Sequence, residues 1–203
     1  MVYFYSSQPL ETQAPYLLMV GKNKDENDLL IKYGFKEQNM IWFHTDKYSS
    51  AHIYLKQPAG EKALEDIPAE VLNDCLQLCK AKSIQGNKMA QCSIICTPWT
   101  NLRKSGYMKA GEVSFKSKNR VRRLNCYARD NAVLNRIEKT RLEVEDNVGS
   151  FLHTAKKSKN GEYLLEYLEQ NSDSLREEEK LRRIVKKQAK KKKAEASEED
   201  DFQ

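Results

Sequence analysis

The sequence predicts an α+β fold: a single domain with a mostly antiparallel sheet and flanking helices, followed by a lysine-rich C-terminal helix or coiled coil. Three observations predict it. Short apolar runs with strand periodicity recur through the first 145 residues, broken by turn residues. Two segments of that part carry apolar residues at helical spacing instead. Both tryptophans lie there too, while the last 45 residues are dominated by Lys, Glu and Arg. A chain of 203 residues accommodates one ordinary domain and an appendage.

Val2 to Ser6 and Tyr16 to Val20 read as strands, and Gly21 stops the second. Asn23 is placed to cap a helix over Lys24 to Tyr33, with Glu26 completing a capping box and Gly34 ending it. Ile41 to Asp46 and Ala51 to Leu55 follow as strands. Pro68 opens a helix that runs to about Lys82, with Val71, Leu72, Cys75, Leu76, Leu78 and Cys79 as its apolar stripe. Gln91 to Thr97 reads as a buried strand, and Gly111 to Phe115 with Val121 to Tyr127 as a basic strand pair. Asp130 caps a helix expected to reach about Glu145. The expected division is a domain over 1–146, a linker over 147–160 holding a solvated His153, a basic helical tail over 161–194, and an acidic disordered end over 195–203. The tail's apolar set, Leu175, Leu181, Ile184 and Val185, is too thin to bury a helix by itself. That leaves an exposed helix, a short coiled coil, or a segment ordered on binding.

The net charge is +6, and it is unevenly placed. Asn101 to Arg129 holds nine Lys/Arg against one acid, Glu112, and Leu175 to Lys193 holds ten against three. Two basic blocks flanking one domain point to a polyanion partner. In the first block, Arg103, Lys104, Lys109, Lys116, Lys118, Arg120, Arg122 and Arg123 are the candidate nucleic-acid contacts. In the tail, Arg182, Arg183, Lys186, Lys187, Lys190, Lys191, Lys192 and Lys193 would add affinity without specificity.

Alternation puts Trp42, His44 and Asp46 on one strand face, with Ile41 and Phe43 on the other. In the next strand Ala51, Ile53 and Leu55 oppose Ser50, His52 and Tyr54. Setting His44 opposite His52 gathers every aliphatic residue on one side, so burial selects that register. The other face then offers Trp42 and Tyr54 for stacking bases, with His44 and His52 beside them. His44, His52 and Asp46 are also the candidates for acid–base work. The bland alternative is a face covered by a helix, with each histidine hydrogen-bonded.

Cys75-x3-Cys79 and Cys92-x3-Cys96 invite a zinc reading, but both pairs fall on apolar faces and read better as buried thiols. No metal and no cofactor is expected. The N-terminus lacks a signal-peptide pattern, and Tyr16 to Val20 is far short of a membrane span. With five cysteines and no export signal, the expected setting is cytoplasmic, and also nuclear.

Val20-Gly21-Lys22-Asn23, Asn27-Asp28-x-Leu30, Trp42-Phe43-His44 and Ser50-Ala51-His52-Ile53 together resemble the NFACT-R domain. Ala81-Lys82-Ser83, Ile94 to Thr97, Arg103-Lys104, Gly106 and Gly111-Glu112-Val113 extend the resemblance over about residues 1 to 145. Two positions depart from it: Met40 stands where the family usually has Asp, and Ser50-Ala51 where it has Gly-Ser. The resemblance implies an RNA-binding module that works on large ribosomal subunits holding stalled peptidyl-tRNA. Its expected partners are rRNA or tRNA, with DNA and a coiled-coil protein partner as alternatives. A release-factor-like role promoting peptidyl-tRNA hydrolysis is the enzymatic alternative.

Overall fold

The structure, a computed structural model, describes residues 1–10, 14–60 and 63–200, with side chains through residue 189. Its centre is a seven-stranded sheet in which neighbouring strands all run antiparallel. In chain order the strands of that sheet are β1 (Val2–Ser7), β2 (Tyr16–Gly21), β3 (Met40–Thr45), β4 (Ile53–Lys56), β5 (Cys92–Pro98), β8 (Arg122–Cys126) and β9 (Leu142–Val144). They lie side by side as β8-β5-β3-β4-β2-β1-β9. A second, two-stranded sheet joins β6 (Leu102–Arg103) to β7 (Ser114–Phe115).

Helices cover both faces. On one, α2 (Ala69–Ala81) and α3 (Asn131–Glu138) bury Val71, Cys75, Leu78, Cys79 and Ile137 against Leu18, Ile41, Phe43, Ile53 and Leu55. On the other, α1 (Lys24–Tyr33), α4 (Val148–Ser158) and the start of α5 (Tyr163–Asp200) bury Leu30, Leu152, Ala155, Leu164 and Leu168 against Val2, Phe4, Met19, Trp42 and Tyr54. The central strands are therefore apolar on both sides, which is why β2 reads as an unbroken apolar run. All five cysteines are free and buried.

The β3–β4 register is the one that burial selects: Ile41 faces Leu55 and Trp42 faces Tyr54, and continuing the ladder sets His44 against His52 with rings 5.2 Å apart. β4 starts later than expected because the Ala51 N–H turns away to the Lys82 carbonyl. Asn23 caps α1, its side-chain oxygen accepting from the N–H groups of Asp25 and Glu26.

Four expectations are corrected. The basic strand pair does not form: β7 turns back onto β6, and β8 joins β5 in the main sheet. Buried Asn101 decides this. Its amide accepts from the Ser117 N–H and donates to the Ser117 carbonyl, both at 2.9 Å, which folds the chain back just after β7. The helix from Asp130 stops at Glu138, because Thr140 leaves it to accept the Ser6 N–H (2.9 Å), and Leu142–Val144 then pairs with β1. The expected linker is the helix α4, with Val148, Leu152 and Ala155 buried; His153 on it is exposed as expected, with the Tyr33 ring 5.7 Å away. A domain boundary at residue 146 would thus cut through packed structure. The backbone of α5 continues to Asp200, across most of the expected disordered end.

Candidate nucleic-acid interface

The site forms where β2 hands over to α1. A β-carbon at Gly21 would lie 2.4 Å from the Asn27 amide oxygen and 2.8 Å from its backbone nitrogen, so only glycine lets α1 start this close to the strand. The Asn23 cap then projects Lys22 and Lys24 from the turn. Facing them are His44 from β3, Ser49, Ser50 and His52 from the β3–β4 connection, Lys82 from the end of α2, and Gly111. Gly111 has φ +80° and donates its N–H to Asp28 Oδ1 at 2.9 Å. Together these residues line a cleft of about 550 Å³ that carries, among the described residues, three lysines and no carboxylate.

The histidines supply polarity, not charge. Burial, reinforced by neighbouring His44, pushes His52 down to about 3. Its Nδ1 lies 3.3 Å from the Tyr54 hydroxyl. Burial also lowers His44, whose Nδ1 sits 2.7 Å from the Thr45 carbonyl. That carbonyl selects the Nδ1–H tautomer and leaves Nε2 as an acceptor. Burial lowers Lys82 as well; its ammonium rests over the rings of Tyr3 and Tyr5.

The expected stacking face is interior. Trp42 is 1 % exposed and Tyr54 fully buried, roofed by α1 and by Phe115 of β7, whose ring lies 5.8 Å from the indole. Trp42 stacks on His44 at 5.6 Å and meets His52 edge-on at 5.3 Å. Of the four rings of this face, His44 alone is half-buried, and it reaches the cleft with His52 behind it. Asp46 does not join the histidines; it pairs with Arg123 at 3.0 Å. The covered, hydrogen-bonded alternative describes this face.

The first-block cations divide. Lys104 is consumed by the fold: its ammonium binds Asp28 (2.9 Å) and the carbonyls of Lys109 (2.6 Å) and Glu112 (2.9 Å). Arg103, Lys109, Lys118, Arg120 and Arg122 are exposed, and Lys116 donates to the Thr100 carbonyl at 2.7 Å. In the tail, Arg182 pairs with Glu145 (2.9 Å), Glu178 (3.5 Å) and Glu143 (3.8 Å), and Arg183 with Glu179. Both are held inward by carboxylates rather than offered to a polyanion. Lys186 and Lys187 are exposed; the side chains of Lys190, Lys191, Lys192 and Lys193 lie outside the described residues.

Lys22, Lys24 and Lys82 stand outside the charge-based candidates, because none belongs to a basic block. The signal that marks them is the motif set: Val20 to Asn23, Ser50 to Ile53, Ala81 to Ser83 and Gly111 all converge on this one cleft.

Residues 1–117 match the family described as NFACT protein RNA binding domain. The chain is similar to Protein JLP2 of Saccharomyces cerevisiae, 58% identical over 182 residues that span 90% of this chain and 88% of the relative. It is also similar to coiled-coil domain-containing protein 25 of Bos taurus, 47% identical over 143 residues, 70% of this chain and 67% of the relative. Among solved structures, the C-terminal part of the fibronectin/fibrinogen-binding protein from Streptococcus suis shares the fold, with a TM-score of 0.52 and 19% identity over 66% of this chain and 48% of that one. The family match contains every residue of the cleft and stops before Arg120, Arg122 and Arg123.

Proposed function

The chain belongs to the NFACT-R family, and from that premise we propose that Lys22, Lys24 and Lys82 hold the sugar-phosphate backbone of RNA in the cleft beside α1. On this reading the protein is a non-enzymatic RNA-binding factor of the large ribosomal subunit, acting in the cytoplasm on stalled or aberrant peptidyl-tRNA complexes. One observation carries it: separate motif segments of an RNA-binding family meet in a cleft lined, among the described residues, by three lysines and no acid. Neutral His44 is then a hydrogen-bonding partner for ribose or base, with buried His52 holding the floor behind it. Exposed Arg120 and Arg122 give a second, weaker phosphate contact along β8. Hydrolysis is not part of the proposal, since His52 is buried and neutral and Asp46 serves Arg123.

The test is co-sedimentation with purified large subunits across a salt series. Lys22→Glu with Lys24→Glu should release the protein from subunits. A Lys→Gln pair should flatten the salt dependence of RNA binding by roughly 1.4 in log–log slope, about 0.7 for each single-strand phosphate that is no longer neutralised. Unchanged sedimentation of the double Glu variant, in a protein that still melts normally, would remove the cleft from the binding surface.

A further inference from the structure

At the opposite end of β3 from His44 lies a second cavity, of about 430 Å³. Phe35, Met40 and Trp99 supply apolar walls, Gln57 lies inside, and Lys36 and Arg120 stand at the rim, with Glu37 the one carboxylate of the lining among the described residues. Trp99 lies over Gly34, where a β-carbon would come within 2.4 Å of the indole. Gly34 therefore sets the depth at which the ring rests.

Two polar atoms in this lining lack partners among the described residues. Gln57 is 1 % exposed, and its amide is oriented by the bond from Nε2 to the Ala63 carbonyl at 3.0 Å. That bond fixes Oε1 as an acceptor, and Oε1 meets no donor. The Trp99 indole N–H is likewise buried without an acceptor, but it lies against Gly34, so the indole offers the cavity its ring rather than its N–H. Unsatisfied buried polar groups are uncommon, and the Gln57 acceptor left without a donor beside an apolar cavity suits a ligand that brings one. A neighbouring cavity of about 260 Å³ shares Ile41, Pro98 and Arg120 and adds Arg122 with Glu65, whose carboxylate lies 4.0 Å from the Arg122 guanidinium. Arg120, and beyond it the loosely paired Arg122, thus lead into the aromatic cavity.

We propose that this cavity receives one unstacked nucleobase of single-stranded RNA, with the adjoining phosphate on Arg120 and Arg122. The inference rests on the RNA-binding reading and deepens it. A nucleobase is planar, stacks on an indole, and carries hydrogen-bond donors and acceptors on its edge. The cavity offers an aromatic wall and an acceptor without a donor, with cations where the backbone must leave. A base still paired in a duplex has no access to it, so the cavity selects unpaired RNA.

The experiment compares three probes of equal length: a single-stranded RNA, the same strand fully paired, and a base-free ribose-phosphate strand. The protein has two tryptophans and Trp42 is buried, so fluorescence quenching reads Trp99. The single strand should quench it and bind roughly tenfold more tightly than either other probe. Trp99→Leu and Gln57→Leu should each remove that advantage while leaving base-free binding unchanged. Arg120→Ala, an exposed position that leaves the cavity walls in place, should weaken the single strand with no loss of melting temperature. Equal binding of intact and base-free strands, without quenching, overturns the base cavity but leaves the lysine cleft standing. If none of the three probes binds, the RNA-binding reading falls and takes this one with it.

Discussion

Lys22, Lys24 and Lys82 carry the same charge as Arg182 and Arg183 but meet opposite surroundings. The lysines come from two distant stretches of chain and line a cleft without a carboxylate among its described residues. The tail arginines belong to the densest basic block of the sequence, yet Glu143, Glu145, Glu178 and Glu179 engage them. Arg141, paired to Glu138 (3.2 Å), Glu143 (3.0 Å) and Glu179 (2.5 Å), ties the network together between β9 and α5. A cation whose charge is already met at about 3 Å has little left for a phosphate, whereas an unpaired one retains it. On the proposed reading, positive charge counted along the chain is a poor guide to where RNA docks, and the carboxylates within reach decide. The tail arginines instead hold the first half of α5 to the edge of the sheet.

The largest effect should come from removing that half. Ending the chain at Gly149 strips Leu152, Ala155, Leu164, Leu168 and Leu175 from the core beneath Trp42. Each buried leucine is worth about 2–5 kcal/mol, so the loss is of the order of a domain's whole stability, about 5–15 kcal/mol. The truncated protein should lose its cooperative thermal transition in circular dichroism. Ending at Ala189 should preserve the transition, because the last buried side chains of α5 among the described residues are Leu175 and Glu179. A sharp transition after truncation at Gly149 would mean that the arginine network and α5 are dispensable to the fold, and the contrast would fail.

This same region shows where the sequence is legible and where it is not. The β3–β4 register can be read because alternation leaves one pairing that keeps Ile41, Phe43, Ile53 and Leu55 together. The Asn23 cap can be read because its chemistry is local. The role of α4 is hidden by short apolar spacing: Val148, Leu152 and Ala155 look sparse until a partner surface exists. The fate of β7 and β8 is hidden because a single buried residue, Asn101, redirects the chain. Alternation defines the aromatic–histidine face, but its exposure depends on α1 and Phe115, which arrive from elsewhere in the chain. The cleft is assembled from several segments, so no local window displays it; only the family motifs mark its pieces.

A pH series probes the contrast from the side of the cleft. The folded-state pKa of His52, about 3, lies below its unfolded value of about 6.5. The unfolded chain therefore binds more protons between those values. The stabilising contribution of neutral, buried His52 is complete above about pH 6.5 and declines as pH falls towards about 3, by about 1.4 kcal/mol per pH unit. Denaturant unfolding at pH 5 and 7 should show this slope, and His52→Gln should reduce it. RNA affinity of the folded protein should not rise over the same interval through this residue, because His52 does not become an imidazolium there. A rise in affinity that disappears with His52→Gln would make the histidine a cationic contact and would undo the assignment of charge to the lysines.

The smallest effect belongs to Arg183. Its side chain is well exposed, yet its ion-pair partner Glu179 is largely buried, so the guanidinium is drawn inward to a carboxylate that water reaches poorly. Binding a phosphate would require giving up that carboxylate and leaving Glu179 with Arg141 as its remaining partner. The gain and the loss nearly cancel, and because Arg183 is itself well exposed and Glu179 keeps Arg141, the substitution costs little stability, about 0–1 kcal/mol. Arg183→Gln should therefore change RNA affinity by less than about twofold and leave the log–log salt slope within about 0.2 of wild type, against the roughly 1.4 expected for the paired lysine substitutions. Titrations of one RNA at several salt concentrations measure both variants on one scale. Equal slopes for Arg183→Gln and the lysine pair would show that the tail arginines release their glutamates on binding, and that internal pairing does not decide which cations meet RNA.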